Sequence, residues 1–130
     1  MNNYKILIVD DEPLILEVVS EFFLEKLKCE VHTALNGLEG LQQAQNIKCD
    51  FILIDYNMPI MNGAALVKSI RELKNLNTNT PLIVFSAFIE DIKPLVNKFK
   101  NIYFLDKSSF QTHVLDLINK IVGSSTTAAA

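Results

Sequence analysis

Residues 51–55 are Phe51-Ile52-Leu53-Ile54-Asp55, four large apolar residues without interruption followed by an acid. Two further runs have the same unbroken apolar character, and they are Ile6-Leu7-Ile8-Val9 and Leu82-Ile83-Val84-Phe85. A strand with one face in solvent alternates apolar and polar residues, whereas a strand covered on both faces does not. The three runs therefore predict a parallel sheet with helices on both of its faces.

Strand-like and helix-like segments alternate along the chain. The predicted strands are Lys5 to Val9, Glu30 to Ala34, Phe51 to Ile54, Leu82 to Phe85 and Ile102 to Leu105. The segments between them carry apolar residues at helical spacing, for example at Leu66, Ile70 and Leu73. Five strands and five helices joined by right-handed crossovers form an open sheet with helices on both sides. We therefore predict a doubly wound α/β fold of (βα)5 order with a five-stranded parallel sheet.

Single residues predict where several of the helices begin. Pro13 suits the first turn of the first helix, and Asn62 suits the cap of the third. A weaker helix is predicted from Leu38 to Ile47. The segment from Ile89 to Phe99 contains Pro94, which removes a hydrogen bond when it lies deep inside a helix. We therefore expect the fourth helix to begin late, with Pro94 in its first turn.

The size and charge of the chain exclude several classes of protein. The 130 residues suffice for one domain and its core but leave no room for a separate DNA-binding or catalytic module. The chain has 12 Lys plus Arg against 15 Asp plus Glu, and its cations are scattered singly along the sequence, so nucleic-acid binding is not expected. The apolar runs are too short to span a bilayer, and residues 1–5 contain no cleavable signal, so we expect a cytoplasmic protein that binds no membrane.

The ends of the domain and the state of its two cysteines can also be predicted from the sequence. We place the domain at residues 1–122, because residues 123–130 are small and polar and have nothing to bury, as in a flexible tail or linker stub. Cys29 and Cys49 lack the spacing of a metal site, so we expect two free thiols.

Polar side chains follow the predicted strands at the edge where ligands bind in such sheets, outside the carboxyl ends of the strands. These side chains are Asp10, Asp11, Asp55, Ser86, Asp106 and Lys107, whereas Glu12 is interpreted as a solvated residue at the start of a helix. Carboxylates about 4 Å apart repel by roughly 4 kcal/mol at an effective dielectric constant near 20, so a cation has to compensate. Oxygen ligands without His or Cys favour Mg²⁺.

A hydroxyl and an ammonium accompany the carboxylates at this edge. Lys107 can neutralise the oxygens of a phosphoryl group together with the metal, and Ser86 can donate a hydrogen bond to it. The set of side chains therefore indicates a phosphoryl group carried on one carboxylate.

Four ordered motifs lie at the ends of the predicted strands, and they are Val9 to Pro13, Asp55 to Gly63, Pro81 to Ala87 and Phe104 to Lys107. Together they resemble the receiver domain of two-component response regulators over about residues 4–122. The resemblance implies a flavodoxin-like fold with strand order 2-1-3-4-5. It also implies a domain that promotes its own phosphorylation but is not a turnover enzyme.

The resemblance assigns roles to four residues of the metal and phosphorylation site. Asp55 matches the phosphoacceptor, which becomes an aspartyl phosphate with Mg²⁺ bound. Asp11 matches the direct Mg²⁺ ligand, Asp10 a ligand acting largely through water, and Asn57 the residue that supplies a backbone carbonyl.

The resemblance also implies a switch and a set of partners. Ser86 and Lys107 match the pair that binds the phosphoryl group, and Phe104 matches the aromatic residue that swings inward when Ser86 moves. An alternative interpretation of Phe104 is a fixed core ring. The phosphodonor implied is a sensor histidine kinase or histidine phosphotransfer protein, and the output is binding to a downstream protein target by a monomer or weak dimer.

Some positions depart from the family pattern. Ser108 replaces a proline that usually follows the lysine in a cis bond, so the loop that aims Lys107 is expected to differ. Lys100-Asn101 replaces a pair of small residues that the family usually has before the fifth strand. Whether the domain dimerises through the face of the fourth helix, fifth strand and fifth helix therefore stays undecided. Phe88 stands near the expected phosphoryl position, where it either shields the phosphate from water or only packs at the start of the fourth helix.

Three other kinds of protein share parts of this pattern. An aspartate-based phosphatase would need a second acid where the chain has Asn57, and a flavodoxin would need a phosphate-binding loop where the chain is acidic. A pseudo-receiver, which has the fold but is never phosphorylated, stays open as the alternative.

Overall fold

The computed structural model describes residues 3–129, and the side chains of residues 3–123. The strands are β1 (Tyr4–Val9), β2 (Cys29–Ala34), β3 (Phe51–Asp55), β4 (Leu82–Ser86) and β5 (Ile102–Asp106). The helices are α1 (Pro13–Lys26), α2 (Gly37–Asn46), α3 (Gly63–Glu72), α4 (Ile89–Val96) and α5 (Phe110–Ala129), and Lys107–Ser109 forms a 3-10 turn. The expected alternation of strands and helices is confirmed.

The five strands form one parallel sheet in the order β2-β1-β3-β4-β5. The chain therefore builds outward from β1 in both directions, and the strand order reverses between β1 and β3. Every residue of β3 and β4 is buried, which explains why these strands read as unbroken apolar runs. The predicted fold class and strand order are both confirmed.

Apolar side chains pack on both faces of the sheet. On one face, Leu66 and Ile70 of α3 pack with Ile54 of β3 in a core that α2 and α4 also cover. On the other face, Phe23 of α1 and Ile118 of α5 belong to the second core. All five of these residues are at most 1% exposed, so the central strands are covered on both faces, whereas the edge strands β2 and β5 stay partly exposed.

Helix α4 differs from the expectation. It begins at Ile89, so Pro94 lies in its interior rather than in its first turn, and the prediction of a late start was wrong. Ile92 and Val96 lie one turn apart and are buried at 3% and 0% exposure. Docking of this apolar face onto the sheet outweighs the single hydrogen bond that Pro94 cannot donate.

The ends of the described chain bear on two other expectations. Helix α5 continues to Ala129, so the backbone of residues 123–129 is helical where a flexible tail was expected. Met1, Asn2 and Ala130 lie outside the described residues. Met1 and Asn2 belong to the start of the chain, where no cleavable signal was predicted, and Ala130 belongs to the predicted tail. Cys29 and Cys49 are free thiols, as predicted. Within residues 3–129, no helix has both the length and the apolar character needed to cross a bilayer.

A buried polar residue joins the end of α2 to two loops at the amino ends of the strands. Asn77 is 0% exposed and makes four side-chain hydrogen bonds. Its Nδ2 donates to the carbonyls of Ala44 and Ile47 at 2.6 and 2.7 Å. Its Oδ1 accepts from the Cys49 amide and the Thr80 hydroxyl, each at 2.8 Å. The end of α2, the start of β3 and the segment before β4 are thereby held together.

The half-buried guanidinium of Arg71, near the end of α3, lies at the same end of the sheet. It donates five hydrogen bonds of 2.6 to 3.3 Å, all to backbone carbonyls, and the acceptors are Asn77, Thr78, Thr80, Lys100 and Asn101. These carbonyls belong to the loops that precede β4 and β5. Arg71 therefore fixes the amino ends of both strands to α3.

Candidate functional site

Three carboxylates meet at the carboxyl ends of β1 and β3. Asp10 and Asp55 are 1% and 3% exposed, and Asp11 is half-buried. The pairing of Val9 with Ile54 brings the ends of the two strands side by side. One oxygen from each of the three carboxylates lies within 4.8 Å of the others. The structure therefore brings together the acidic side chains that the sequence places at this edge.

Asp10 is held at one oxygen and unpaired at the other. Its Oδ1 accepts a hydrogen bond of 2.9 Å from the Glu12 amide, whereas its buried Oδ2 has no hydrogen-bond partner among the described residues. The pKa of Asp10 is raised to about 6, chiefly by burial and also by the nearby charges of Asp55 and Asp11, against the opposing effects of the Glu12 amide and Lys107. An unpaired buried carboxylate oxygen is costly unless a cation or proton satisfies it.

Asp55 is paired with the ammonium of Lys107. Asp55 Oδ1 lies 2.8 Å from Lys107 Nζ and makes no hydrogen bond to any other residue in the described part of the chain. Burial raises the pKa of Asp55, and the ion pair with Lys107 opposes that rise. Burial alone would lower the pKa of Lys107, but Asp55 and Asp10 reverse this and raise it. Lys107 is therefore held in its charged form beside the carboxylate.

The donor set fits a hard divalent cation. Three carboxylates face a single ammonium, and one buried oxygen of Asp10 lacks a partner, so the site carries excess negative charge that a cation would neutralise. All these ligand atoms are oxygens, which suits Mg²⁺ better than zinc or copper. Asp10, Asp11 and Asp55 would hold the ion. Asn57, the fourth residue expected at the metal, lies two residues after Asp55 and is exposed.

Ser86 ends β4 beside β3 and is 2% exposed. Its Oγ accepts a hydrogen bond of 3.0 Å from the Phe88 amide. Phe88, which is 63% exposed, caps the start of α4 without a side-chain hydrogen bond. Ser86 and Phe88 line a depression of about 210 Å³ together with Tyr56, Asn57, Asp91 and Ile92. The expected phosphoryl-binding hydroxyl thus lies in a small recess that is also lined by Tyr56 and Asn57, the two residues after Asp55.

Phe104 lies on the same face of the sheet as Ser86. In the register of β4 and β5, Phe104 pairs with Val84, which is two residues before Ser86. Paired residues and residues two apart point to the same side of a sheet. The Phe104 ring is half-buried, and Lys93 Nζ lies 5.7 Å from its centre. The ring is thus partly open to solvent at the edge strand.

The turn after β5 has its own hydrogen bonds. Asp106 Oδ1 accepts from the amide and the hydroxyl of Ser108 at 2.8 and 2.7 Å, and this closes the 3-10 turn that follows. No peptide bond between described residues is cis. Ser108, which stands where the family usually has proline, therefore supports the loop through Asp106 while Lys107 reaches Asp55.

The loop between β3 and α3 contains a feature that side-chain patterns did not reveal. Ile60 has a positive φ of 70°, and the Met61 amide donates to the Pro59 carbonyl at 2.7 Å. A positive φ and a hydrogen bond spanning two residues describe a γ-turn of the rare, strained kind. No residue type at this position points to it, because isoleucine disfavours the conformation.

Comparisons with known proteins agree with this fold. The family model for the response regulator receiver domain matches residues 6–119. A protein-glutamate methylesterase/protein-glutamine glutaminase of Bacillus subtilis (strain 168) is 38% identical over 73 residues, which are 55% of this chain and 20% of that protein. The hybrid signal transduction histidine kinase G of Dictyostelium discoideum is 36% identical over 77 residues, 58% of this chain and 2% of that protein. The chain thus spans a fifth or less of these relatives.

Solved structures of similar length match nearly the whole chain. The chemotaxis response regulator CheY4 of Vibrio cholerae is 28% identical with a TM-score of 0.82, covering 92% of this chain and 99% of that one. The response regulator TrrA of Thermotoga maritima, solved in complex with Mg(2+)-BeF, is 27% identical with a TM-score of 0.77, covering 91% of this chain and 98% of that one. On this match of motif, sheet order and family model, the chain belongs to the response regulator receiver domain family.

Proposed function

We propose that Asp55 accepts a phosphoryl group with Mg²⁺ bound, and that its phosphorylation switches the binding of a downstream protein. The observation that carries the proposal is the position of Asp55. It is buried at the carboxyl end of β3, 2.8 Å from Lys107 Nζ and beside two further carboxylates. Mg²⁺ in the TrrA complex supports the choice of metal. The proposed phosphodonor is a sensor histidine kinase or a histidine phosphotransfer protein.

The transfer moves one phosphoryl group between two nucleophiles. A carboxylate oxygen of Asp55 attacks phosphorus, the bond to the donor imidazole nitrogen breaks, and that nitrogen keeps the electron pair. Lys107 favours the ionised form of Asp55 and would stabilise the charge on the transferred oxygens. A Mg²⁺ ion held by these carboxylates would supply further neutralising charge for the phosphoryl oxygens. The proposed metal residues are Asp10, Asp11, Asp55 and the backbone carbonyl of Asn57.

Ser86 has a proton available for the phosphoryl group. Its Oγ accepts from the Phe88 amide, and a hydroxyl that accepts one hydrogen bond can still donate its own hydrogen. When Ser86 turns toward a phosphoryl group on Asp55, the contact to Phe88 weakens. The start of α4 is then less firmly held, which links the chemistry to a change of surface.

The proposed output is a two-state switch through Ser86 and Phe104. Phosphorylation adds about 1.5 to 2 negative charges at Asp55. To shift the ratio of active to inactive protein from 1:99 to 99:1, phosphorylation has to favour the active state by about 5.5 kcal/mol. A few charge-assisted hydrogen bonds can provide this free energy. Because Phe104 shares a face with Ser86 and is only half-buried, its ring can follow Ser86 inward and leave Lys93.

Exposed apolar side chains around the acidic cluster favour a protein as phosphodonor. Leu14, Leu38, Ile60 and Phe88 are between 53% and 86% exposed, and each lies on a segment that follows one of the first four strands. Apolar side chains around a polar recess are typical of a surface that binds another protein. We therefore expect this rim to contact the donor protein.

The remaining parts of the proposal concern the whole chain. The receiver is proposed to occupy residues 1–122, with residues 123–130 as a linker, and to act in the cytoplasm as a monomer or weak dimer. It is proposed to bind neither nucleic acid nor membrane, and to turn over no other substrate.

The proposal is tested with acetyl phosphate and intact-mass spectrometry. The wild-type protein should gain one phosphoryl group only when Mg²⁺ is present. Asp55→Asn should gain none, while Asp116→Asn, which changes an exposed carboxylate on α5, should label like the wild type. Labelling of Asp55→Asn to the wild-type extent would overturn the assignment. A wild-type protein that binds Mg²⁺ but never labels would instead be a pseudo-receiver.

The role of the rim is measured separately with a phosphohistidine donor. Leu14→Ser should slow transfer from the donor protein and leave labelling by acetyl phosphate unchanged, because the small molecule does not contact the rim. Equal slowing with both donors would place Leu14 in the chemistry rather than in docking.

A further inference from the structure

Strand β2 has one edge of its backbone open to solvent. It stands last in the order β2-β1-β3-β4-β5, so β1 pairs with one of its edges and no strand within residues 3–129 pairs with the other. All of its residues except Ala34 are half-buried or exposed. An open strand edge presents N–H and C=O groups that can pair with another strand. The outer edge of β2 is therefore a candidate interaction surface.

The hydrogen bonds to β1 show which residues of β2 have backbone groups that point outward. The Tyr4 amide donates to the Lys28 carbonyl at 2.9 Å, and the Asp10 amide donates to the Ala34 carbonyl at 3.1 Å. Because alternate residues of a strand face the same neighbour, the even-numbered residues of β2 bond to β1. The residues whose amide and carbonyl groups point outward are therefore Cys29, Val31 and Thr33.

Gln43 of α2 gives independent evidence for this direction. Its Nε2 donates to the Thr33 carbonyl at 3.1 Å, so this carbonyl accepts from a donor outside the sheet. A carbonyl oxygen has two lone pairs and can accept a second hydrogen bond. Thr33 is also exposed. The Gln43 side chain therefore marks the outer edge of β2 without closing it.

An acid and an imidazole lie on one face of β2, two residues apart. Glu30 Oε2 lies 2.5 Å from His32 Nε2, and the two side chains are 27% exposed for His32 and 52% exposed for Glu30. The hydrogen bond with His32 lowers the pKa of Glu30, so this carboxylate is charged at neutral pH. Imidazole can donate a hydrogen bond both as the neutral ring and as the cation. The edge thus carries an acceptor and a donor side by side.

We propose that β2 is a dimerisation edge, on which β2 of a second copy of this chain, its partner, pairs antiparallel about a two-fold axis at Val31. In a two-fold interface every contact occurs twice, with the roles of the two copies exchanged. An axis at Val31 places Cys29 opposite the partner's Thr33. It also places Glu30 opposite the partner's His32. The residues with outward groups then form hydrogen-bonded pairs, and the pairs of Glu30 with the partner's His32 lie between them.

The charges of these side chains favour this register. Residues opposite each other without hydrogen bonds have Cα atoms about 4.5 Å apart, where opposite charges attract and like charges repel. An axis at Glu30 would place two carboxylates opposite each other, and an axis at His32 would place two imidazoles opposite each other. With the axis at Val31, each carboxylate faces an imidazole instead. The edge is therefore complementary to a second copy of itself.

The proposed interface leaves the candidate phosphorylation site free. Strand β2 lies at the opposite edge of the sheet from β5, and β1 separates it from β3, which ends in Asp55. The pairing would join the sheets of two receivers into one continuous sheet. It goes beyond the proposed function and does not depend on phosphorylation of Asp55.

The test combines sedimentation velocity with amide hydrogen exchange measured by NMR, at protein concentrations from about 20 µM to about 1 mM. We expect a weak dimer in the upper part of this range, because a single strand edge buries little surface. The outward amides of Cys29, Val31 and Thr33 should then exchange about fivefold more slowly, since an amide paired in about 80% of the chains is open only in the rest. The amides of Glu30 and His32 bond to β1 in the monomer and should change little.

His32→Glu tests the register. It turns both pairs with Glu30 from attractive to repulsive, so the Kd of the dimer should rise about tenfold. Combining Glu30→Lys with His32→Glu places opposite charges face to face again and should bring the Kd to within about threefold of the wild type. His113→Glu is the matched control, since it makes the same change at an exposed position on α5 and should leave the Kd within about twofold.

Val31→Pro tests the backbone pairing. It removes the amide at the axis, which points away from β1, so each copy keeps the hydrogen bonds of its own sheet. The two hydrogen bonds lost from the dimer should raise its Kd about tenfold or more. If Val31→Pro does not fold, His32→Glu and its rescue by Glu30→Lys still decide the question.

Each outcome bears on the proposal. A protein that stays monomeric at about 1 mM overturns it. A dimer whose outward β2 amides exchange as fast as in dilute protein uses another surface and also overturns it. A Kd that His32→Glu leaves unchanged refutes the register with Glu30 opposite the partner's His32. Slower exchange at the outward amides, weakening by His32→Glu and rescue by the double variant support the proposal.

Discussion

Replacing Asp10 by asparagine should stabilise the metal-free protein at neutral pH. Asp10 is buried with one oxygen unpaired, and it lies beside two other carboxylates. Asparagine has nearly the same shape and keeps an oxygen that can accept the 2.9 Å hydrogen bond from the Glu12 amide. The change therefore removes a buried charge and leaves the local backbone contact in place.

The size of the effect follows from the pKa of Asp10. A rise from the ordinary value of 3.8 to about 6 corresponds to about 3 kcal/mol. Because the folded pKa is the higher one, the charged form opposes folding above pH 6. This destabilisation fades as the pH falls from 6 toward 4, where the folded protein binds the proton before the unfolded chain does. We expect a gain of about 2 to 3 kcal/mol for Asp10→Asn at pH 7.5.

Urea unfolding followed by circular dichroism, with EDTA present, measures this gain. The advantage of Asp10→Asn should shrink to near zero at pH 4, because protonated aspartic acid is also neutral. Mg²⁺ should stabilise the wild type at pH 7.5 more than the variant. Equal wild-type and variant stability at pH 7.5, or a gain that is the same at both pH values, would refute the reasoning. Asp116→Asn, on an exposed helix face, serves as the control.

Two further predictions concern the buried amide and the exposed ring. Asn77→Ala should destabilise the protein by about 4 kcal/mol in urea unfolding, since four buried hydrogen bonds are lost at about 1 kcal/mol each. The exposed Asn46→Ala should change stability by less than about 1 kcal/mol. Phe88→Ala should speed phosphate release from the labelled protein severalfold, because the ring next to Ser86 then no longer limits water access. Leu95→Ala, which truncates another exposed side chain of α4, is the control. If the phosphorylated form of Phe88→Ala lives as long as those of the wild type and the control, the ring does not shield the phosphate.

Much of the fold could be predicted from local sequence, and the exception has a physical reason. A strand that is buried on both faces has an unbroken run of apolar residues, because every one of its side chains lies in the core. Such a run can be recognised without knowledge of the neighbouring elements. Helix α4 did not follow local rules, since the effect of Pro94 on hydrogen bonding had to be weighed against the docking of Ile92 and Val96. That docking depends on distant residues that no window of sequence contains.

The candidate site divides in a similar way. Asp10, Asp55 and Lys107 were predicted together because parallel strands end at one edge, and they do lie together there. The amides of Glu12 and Phe88, which hold Asp10 and Ser86, were missed because every residue except proline has such a donor.

The polar network at the amino ends of the strands was missed for a different reason. Asn77 lies in a loop rich in polar residues, and such a loop normally faces solvent. Only the tertiary structure places this amide between three segments of backbone. No side-chain pattern in the sequence distinguishes it from its exposed neighbours.

The five hydrogen bonds of Arg71 have a consequence for the direction of movement in this receiver. One guanidinium joins the loops that lead into β4 and β5, and these are the strands that carry Ser86, Phe104 and Lys107 at or near their other ends. A disturbance at Asp55 should therefore tilt the two strands about anchored starting points rather than slide them lengthwise. The displacement of each strand then grows with distance from Arg71. A partner would therefore detect a change in strand angle beside the acidic cluster, while the opposite end of the molecule keeps its shape.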